Sequence, residues 1–245
     1  MNIERTLRKR VLAGENVRGA LVRIPSEEIV EIVASNGLDF ILLDCEHGPR
    51  DEAEIRRHIA AAAIFGVETI VRIGEHDNSL ILRALDAGAS GIVIPHLESP
   101  EAASEIAAMA KYPPEGTRGF AVYSRAGKYG NVVPAEYQLA ANDYVLVVGM
   151  IESPAAAARA EEILGANHID AYMIGVSDLG ASTTFTDVPK EESISITHKG
   201  AHAAGKARFD IVNDAQGAKA ARENGATVIV YNFSALLGSL LRTLP

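Results

Sequence analysis

The sequence predicts a (β/α)8 barrel, the TIM-barrel fold, with parallel strands. Three observations predict it: short apolar runs alternate with stretches of helical periodicity, several runs are apolar at almost every position, and the chain has 245 residues. Alternating strands and helices indicate parallel strands joined by crossovers. Strands covered on both faces are apolar throughout, and about 250 residues is typical of eight such units.

Eight apolar runs are predicted to be the strands, at residues 18–23, 39–44, 69–72, 91–95, 145–151, 171–175, 206–211 and 227–231. Helical periodicity occurs between them, at residues 52–65, 79–87, 100–111, 154–164 and 215–224. A doubly wound open sheet is the alternative fold, but no G-x-G-x-x-G motif follows the first strand. No Pro/Gly/Ser-rich linker divides the chain, so residues 1–245 are expected to form one domain.

Two segments are less regular. Residues 183–189 are predicted to be a loop, and a short helix after them is expected to end at Gly205. Residues 112–144, between the fourth and fifth strands, contain Pro113-Pro114, Gly116 and Gly119. Active sites of TIM barrels lie at the carboxyl ends of the strands, and this connection is expected to lie over that end.

Composition argues against nucleic-acid and membrane partners. The formal net charge is −9 and aromatic residues make up 5% of the chain, which offers little for phosphate neutralisation or base stacking. Residues 1–10 are polar and charged, and no apolar run approaches the roughly 20 residues that span a bilayer. The chain has a single cysteine, Cys45, which is typical of a protein in a reducing compartment. We expect Cys45 to be a small core residue. We therefore expect a cytoplasmic protein.

Two carboxylates, Glu152 and Asp178, each follow the end of a strand in successive βα units. In a barrel these positions face one crevice, so the two side chains could share one metal ion. Oxygen ligands suit Mg²⁺ or Mn²⁺ better than Zn²⁺. The alternative is that Glu152 caps the helix beginning near Pro154 and Asp178 caps the next turn. Their matching placement favours the metal.

The end of the second strand carries Asp44, Glu46 and His47. A histidine there, with a pKa naturally near 6.5, is a reasonable general base at neutral pH. Arg72 ends the third strand, where its guanidinium could hold a carboxylate or a developing oxyanion, with Asp44 to orient it. A structural salt bridge at the rim is the alternative for Arg72. His96 follows the fourth strand and could also line the site.

From spacing alone, Asp86 is expected at the exposed end of a helix. The positions of the lysines argue against imine chemistry. Lys206 is the lysine that adjoins a predicted strand, and it lies at the strand's beginning, which is the wrong end for a barrel active site. A Schiff-base lysine is therefore disfavoured.

Taken together, these segments resemble the HpcH/HpaI family of metal-dependent (class II) aldolases over nearly the whole chain. The family includes 4-hydroxy-2-oxoheptanedioate and 2-keto-3-deoxy-sugar-acid aldolases. The segments that carry the resemblance are Leu43-Asp44-Cys45-Glu46-His47-Gly48-Pro49, Val71-Arg72, Leu85-Asp86-Ala87-Gly88-Ala89, Ile94-Pro95, Ile151-Glu152-Ser153 and Gly175-Val176-Ser177-Asp178-Leu179.

The resemblance implies a role for each matching residue. It implies that His47 is the base, that Asp86 is its partner, and that Arg72, supported by Asp44, stabilises the enolate and carbonyl oxygens. It also implies metal ligation and substrate contacts by further residues: Glu152 and Asp178 as ligands of one divalent ion (Mg²⁺ or Mn²⁺, with Co²⁺ as a further option), the backbone at Ser177 and Asp178 for the substrate carboxylate, and Pro95 and Arg125 as further substrate contacts.

The function implied is aldol cleavage or formation of 4-hydroxy-2-oxo acids, through the enolate of a pyruvate-type 2-oxo acid and with an aldehyde as second substrate. The resemblance also implies a homohexamer whose last helix, near residues 234–241, packs on or is swapped with a neighbour. Its Leu-rich face agrees with burial.

The chain departs from the family pattern at Gly48, Val176 and Gly180, where the family often has Ala, Pro and Ser, and it is shorter after Asp178. Gly48 and Gly180 would leave room for a different substrate. Condensation of acetyl-CoA with oxaloacetate, as in citrate synthesis, and oxaloacetate decarboxylation are therefore alternative activities. A barrel that binds an oxo acid without turnover is the alternative from another class of protein.

Overall fold

The computed structural model describes residues 6–48, 51–74 and 77–245. Eight parallel strands pair in chain order, and the first pairs with the last to close a barrel. They are β1 (Val17–Val22), β2 (Phe40–Asp44), β3 (Glu68–Arg72), β4 (Gly91–Ile94), β5 (Leu146–Ile151), β6 (Ala171–Ile174), β7 (Ala207–Val212) and β8 (Val228–Asn232). The (β/α)8 barrel and all eight strands predicted from the sequence are confirmed.

Helices surround the barrel. They are α1 (Leu7–Leu12), α2 (Glu27–Ser35), α3 (Glu52–Ile64), α4 (Asn78–Ala87), α5 (Pro100–Ala108), α6 (Pro134–Tyr144), α7 (Pro154–Ala158), α8 (Ala160–Leu164), α9 (Val176–Ser182), α10 (Lys190–Ala203), α11 (Ala215–Glu223) and α12 (Phe233–Leu241). The single helix predicted at 154–164 is wrong, because Arg159 leaves the helical conformation (φ −114°, ψ 18°) and separates α7 from α8. The helix expected to be short before Gly205 is α10, with 14 residues.

Alternate residues of the strands fill the barrel interior, as the period of two requires. The buried cluster there consists of Leu7, Val11, Val17, Leu21, Phe40, Leu42, Ile70, Val93, Leu146, Val148, Met150, Ala171, Met173, Phe209, Val228 and Val230. The two residues of α1 in this cluster close the end at which the strands begin. Gly19 must lack a side chain, because a Cβ there would lie 2.5 Å from the Phe40 ring. The opposite end of the barrel, where the strands finish, remains for polar side chains.

The connection after α5 does not lie over the barrel mouth, so that expectation was wrong. It follows a helix and not a strand, and it therefore begins at the end of the barrel where helices finish. The Thr117 amide bonds to the Ala108 carbonyl at 2.9 Å, and Arg118 pairs with Asp86 at 2.8 Å near the end of α4. Further along, Arg56 of α3 donates to the Tyr129 hydroxyl at 3.0 Å. This connection packs outside the barrel.

The last helix, α12, contains no buried residue within the single chain. Its side chains Leu237, Leu240 and Leu241 are 38%, 60% and 56% exposed. The swapped arrangement and the hexamer stay predictions. Across the described part of the chain, no helix combines the length and apolar character needed to cross a membrane.

Candidate active site

Charged side chains continue the apolar interior series at the carboxyl ends of four strands. They are Arg23, Asp44, Arg72 and Glu152, each two positions after an apolar interior residue of its own strand. Because side chains alternate between the two faces of a strand, these four groups point into the mouth of the barrel. The same period of two, read along β1, could have identified Arg23, which the sequence analysis did not select.

Asp44 accepts hydrogen bonds from five groups. Arg72 binds it bidentately, with Nε to Oδ1 at 2.9 Å and Nη2 to Oδ2 at 2.6 Å. Arg23 Nε donates to Oδ2 at 2.5 Å. The amides of Glu46 and His47 donate to Oδ1 at 3.2 and 3.3 Å. Burial alone would raise the pKa of Asp44, but the bonds from Arg72 and then Arg23 lower it to about 2. Asp44 is therefore the anion around which this side of the mouth is built.

Arg72 is buried and joins Asp44 to Glu46. Its Nη1 lies 3.2 Å from Glu46 Oε2 and 4.0 Å from the Met150 sulfur. Burial lowers the pKa of Arg72, but the hydrogen bonds to Asp44 and the charges of Asp44 and Glu46 outweigh that effect and raise it overall. Arg72 is thus a permanent cation at the mouth, held by two hydrogen bonds to Asp44.

A histidine extends the polar chain across the mouth. His96 Nε2 lies 3.2 Å from Glu46 Oε1, and His96 Nδ1 lies 3.5 Å from Glu152 Oε2. The His96 amide also donates to Glu152 Oε2 at 2.8 Å. Glu46, His96 and Glu152 form a group whose ligand atoms all lie within 4.8 Å of one another, close enough to hold a metal ion. The sequence had left His96 open and assigned Glu46 no role.

Glu152 is not the cap of the helix that follows it, because Ser153 fills that position and accepts from the Ala156 amide at 3.1 Å. Glu152 is buried, and its Oε1 has no hydrogen-bond partner among the described residues. A Cβ on Gly175 would lie 2.0 Å from that oxygen, so the glycine makes its space. Burial, and then the charges of Glu46 and Asp178, raise the pKa of Glu152, and the His96 amide opposes them.

Asp178 lies in the first turn of α9, beside Ser177, while Gly175 is the N-cap residue. Asp178 is half-buried, and its charge acts on Glu152. A buried, unpartnered carboxylate oxygen with a second carboxylate nearby is a donor set that fits a hard divalent cation. The assignment of Glu152 and Asp178 as ligands stays a prediction. Pro95 follows β4 directly and is buried next to His96.

Comparison with known proteins now identifies the family, because a model described as HpcH/HpaI aldolase/citrate lyase matches residues 22–237. The chain belongs to this family. The hydroxypyruvate/pyruvate aldolase of Sagittula stellata is 35% identical over 182 residues, or 74% of this chain and 71% of that protein. The pyruvate aldolase of Rhizobium etli is 33% identical over 175 residues, or 71% of this chain and 68% of that protein. The crystal structure of a family member from Burkholderia cenocepacia has a TM-score of 0.88 at 27% identity and covers 96% of each chain. The resemblance found in the sequence is confirmed.

The histidine expected to be the base in this family lies at the rim of the mouth. The His47 side chain is 52% exposed, and its Nε2 lies 3.9 Å from Glu46 Oε2. The bond from its amide to Asp44 fixes the backbone but leaves the imidazole accessible to a substrate. Its role as base stays a prediction, with a geometry that permits it.

Two residues given roles by the family resemblance lie elsewhere in the chain. Asp86 is in the last turn of α4, beyond which the chain enters β4, so it lies at the end of the barrel opposite His47. Arg125 Nη1 approaches the Ala87 carbonyl at 3.4 Å, next to Asp86. One chain therefore does not bring Asp86 or Arg125 to the mouth, and their roles stay predictions that would need a neighbouring subunit.

Within the chain, Asp86 instead pairs with the buried Arg118, whose guanidinium carbon lies 4.5 Å from the centre of the Tyr112 ring. We expect Asp86→Ala to lower the free energy of unfolding by about 3 kcal/mol, because it leaves Arg118 buried without its partner. Urea unfolding measures this change. Asp143→Ala, at an exposed ion pair with Lys9, is the control and should cost less than about 1 kcal/mol. Unchanged stability in Asp86→Ala would contradict the structural role.

The glycines that depart from the family pattern do not open space for a substrate, contrary to expectation. At Gly48 a Cβ would lie 2.2 Å from the Asp44 carbonyl oxygen, so the glycine permits the tight turn after β2. At Gly180 a Cβ would lie 3.2 Å from Lys190 Cδ, so the lysine side chain already occupies that volume. Neither glycine supports a larger substrate.

Proposed function

We propose that this protein is a divalent-metal-dependent aldolase that forms or cleaves 4-hydroxy-2-oxo acids from a pyruvate-type 2-oxo acid and an aldehyde. The observation that carries the proposal is the buried Glu152 carboxylate, whose Oε1 is unpartnered among the described residues. It lies in one polar chain with Arg72 and Glu46. Family membership and the two pyruvate aldolases among its relatives support the same reaction class.

The mouth contains carboxylates that would hold a divalent ion and an arginine that would face the developing negative charge of the 2-oxo acid. Glu152 and Asp178 would hold a divalent ion, Mg²⁺, Mn²⁺ or Co²⁺, which supplies Lewis acidity that makes enolate formation less costly. Arg72 Nη1 is the guanidinium nitrogen not bonded to Asp44. It lies 3.2 Å from Glu46 Oε2, and its second N–H group would donate to a developing oxyanion. Asp44 and Glu46 hold that nitrogen in place, so little reorganisation is needed during the reaction.

In the forward direction, His47 takes a proton from the methyl carbon of pyruvate, and the C–H electron pair becomes that of the enolate. The enolate carbon then forms a bond to the aldehyde carbonyl carbon. The aldehyde oxygen takes up the proton held by His47, which restores the neutral imidazole. The reverse sequence breaks the same carbon–carbon bond. These steps require an accessible imidazole and a fixed cation, which are the properties of His47 and Arg72.

The first test needs no knowledge of the aldehyde. In deuterated buffer with Mg²⁺ or Mn²⁺, we expect the protein to exchange the methyl protons of pyruvate, followed as loss of the methyl signal in proton NMR. EDTA should stop the exchange, and His47→Ala should slow it by about 100-fold or more. His202→Ala, at an exposed histidine of α10, is the control and should exchange normally. Absence of exchange in the metal-loaded wild type would remove the pyruvate-aldolase proposal.

A further inference from the structure

We propose that Arg23 binds an anionic group, a carboxylate or a phosphate, on the acceptor aldehyde, so that the enzyme prefers anionic over neutral aldehydes. The inference rests on the aldolase function proposed above and adds the charge class of the second substrate. It starts from an arginine at the end of β1 that neither the sequence reasoning nor the family resemblance had assigned.

The guanidinium of Arg23 is anchored at one nitrogen and open at the others. Its Nε bonds to Asp44 Oδ2 at 2.5 Å, while the side chain is 34% exposed. Within the described ranges, the two Nη groups make no hydrogen bond, which leaves a pair of donors available beside Asp44. An arginine held at Nε with free Nη groups presents the planar fork that matches carboxylate and phosphate oxygens.

Arg72 cannot serve the acceptor in the same way. It binds Asp44 through Nε and Nη2, its Nη1 is beside Glu46, and the side chain is 5% exposed. Arg23 and Arg72 share the Oδ2 atom of Asp44, so the two guanidinium groups flank one carboxylate. Arg72, the buried arginine, is therefore assigned to the reacting atoms, and Arg23, the accessible one, is the neighbouring cation closer to solvent.

The placement of Arg23 also favours the acceptor over the 2-oxo acid. The polar chain runs from Arg23, directly after β1, through Asp44 and Arg72, and it ends at Glu152 after β5. The 2-oxo acid is assigned to the part near Glu152 and Arg72. Ile211, an interior-facing residue of β7, is 37% exposed, and Arg23, which follows β1, is 34% exposed, so the mouth is accessible at these two positions, with β8 between them. An aldehyde entering there meets Arg23.

The test compares pairs of aldehydes that differ in charge. Initial rates of aldol addition to pyruvate are measured for glyoxylate against glycolaldehyde, succinate semialdehyde against butanal, and glyceraldehyde 3-phosphate against glyceraldehyde. In Arg23→Met, we expect the ratio of kcat/KM for the anionic over the neutral member to fall by about tenfold or more, mainly through KM. Arg23→Lys should recover part of the ratio. The carboxylate and phosphate pairs show which anion the site takes.

Arg18→Met is the matched control. Arg18 lies near the beginning of β1, away from the mouth, and its substitution removes the same charge as that of Arg23. Its ratio should stay at the wild-type value. An unchanged ratio in Arg23→Met would overturn the inference. An equal loss for every aldehyde and for pyruvate proton exchange would also overturn it, since Arg23 would then only position Asp44. Failure of the wild type to exchange pyruvate protons would instead count against the aldolase function itself.

Discussion

Gly175→Ala should weaken binding of Mn²⁺ by about 10- to 100-fold and reduce turnover in parallel while leaving the barrel folded. The new Cβ would lie 2.0 Å from Glu152 Oε1 and 2.7 Å from its Cδ. The atoms that must move belong to the end of a flexible side chain, so the carboxylate should rotate away and the backbone should stay. Gly175 has φ −80° and ψ 79°, and its negative φ does not exclude Ala.

Mn²⁺ titration by calorimetry and the far-UV circular dichroism spectrum separate the two parts of this expectation. Gly217→Ala in α11 is the matched control, because the nearest atom to its new Cβ is 3.4 Å away and the residue is remote from the mouth. In a Glu152→Ala background, the Gly175 change should have little further effect on metal affinity. Normal Mn²⁺ affinity in folded Gly175→Ala would show that the observed Glu152 position is not needed for the metal.

The strands and the barrel could be predicted from the sequence because local pattern and global fold agree. Runs such as Phe40–Leu43 are apolar throughout, which is what a strand between a filled interior and a layer of helices requires. The break at Arg159 was not predictable in this way. Residues 154–164 have helical periodicity on both sides of it, and only the backbone of the folded chain shows where the helix is interrupted.

The candidate site was predictable to the extent that it follows strand ends. Asp44, Arg72 and Glu152 were found because each ends or follows a strand, and Arg23 was overlooked although it has the same register. His96 and Glu46 come into contact through loops after two different strands, and spacing cannot give the distance between such loops. The expectation that residues 112–144 lie over the mouth failed because α5 precedes this connection. The helix carries the chain back to the end of the barrel where the strands begin, so the connection starts there and not at the mouth.

Asp44→Ala should be the most destabilising substitution at the mouth. It leaves the buried Arg72 without its bidentate partner, so we expect the free energy of unfolding to fall by about 3–5 kcal/mol. Pyruvate exchange should be lost as well, because the amides of Glu46 and His47 lose the acceptor that fixes their turn. Asp44→Asn keeps an oxygen for these amides but removes the charge, so it should cost less stability than Ala and still impair exchange.

Because the pKa of Asp44 is lowered, the free energy of unfolding should depend on pH in acid. This dependence distinguishes the effect of the Asp44 charge from that of its side-chain volume and hydrogen bonds. Its folded pKa is about 2, below its usual value of 3.8. The carboxylate therefore contributes about 2 kcal/mol of stability above pH 4 or so, and this contribution is lost as pH falls through about 2. Urea unfolding of the wild type and Asp44→Asn between pH 6 and 2 should show a gap that is constant near neutrality and narrows in acid.

Asp210→Ala provides the comparison for this acid dependence, because Asp210 also binds an arginine bidentately, with Arg208 Nε and Nη2 at 2.8 and 2.7 Å. That pair is partly exposed on the outer side of β7, whereas the Asp44 carboxylate is fully buried, so its loss should cost less than that of Asp44→Ala. A comparable loss at both positions would mean that burial adds nothing to the Asp44 pair. A gap between wild type and Asp44→Asn that persists unchanged at pH 2 would mean that the charge of Asp44 is not its source.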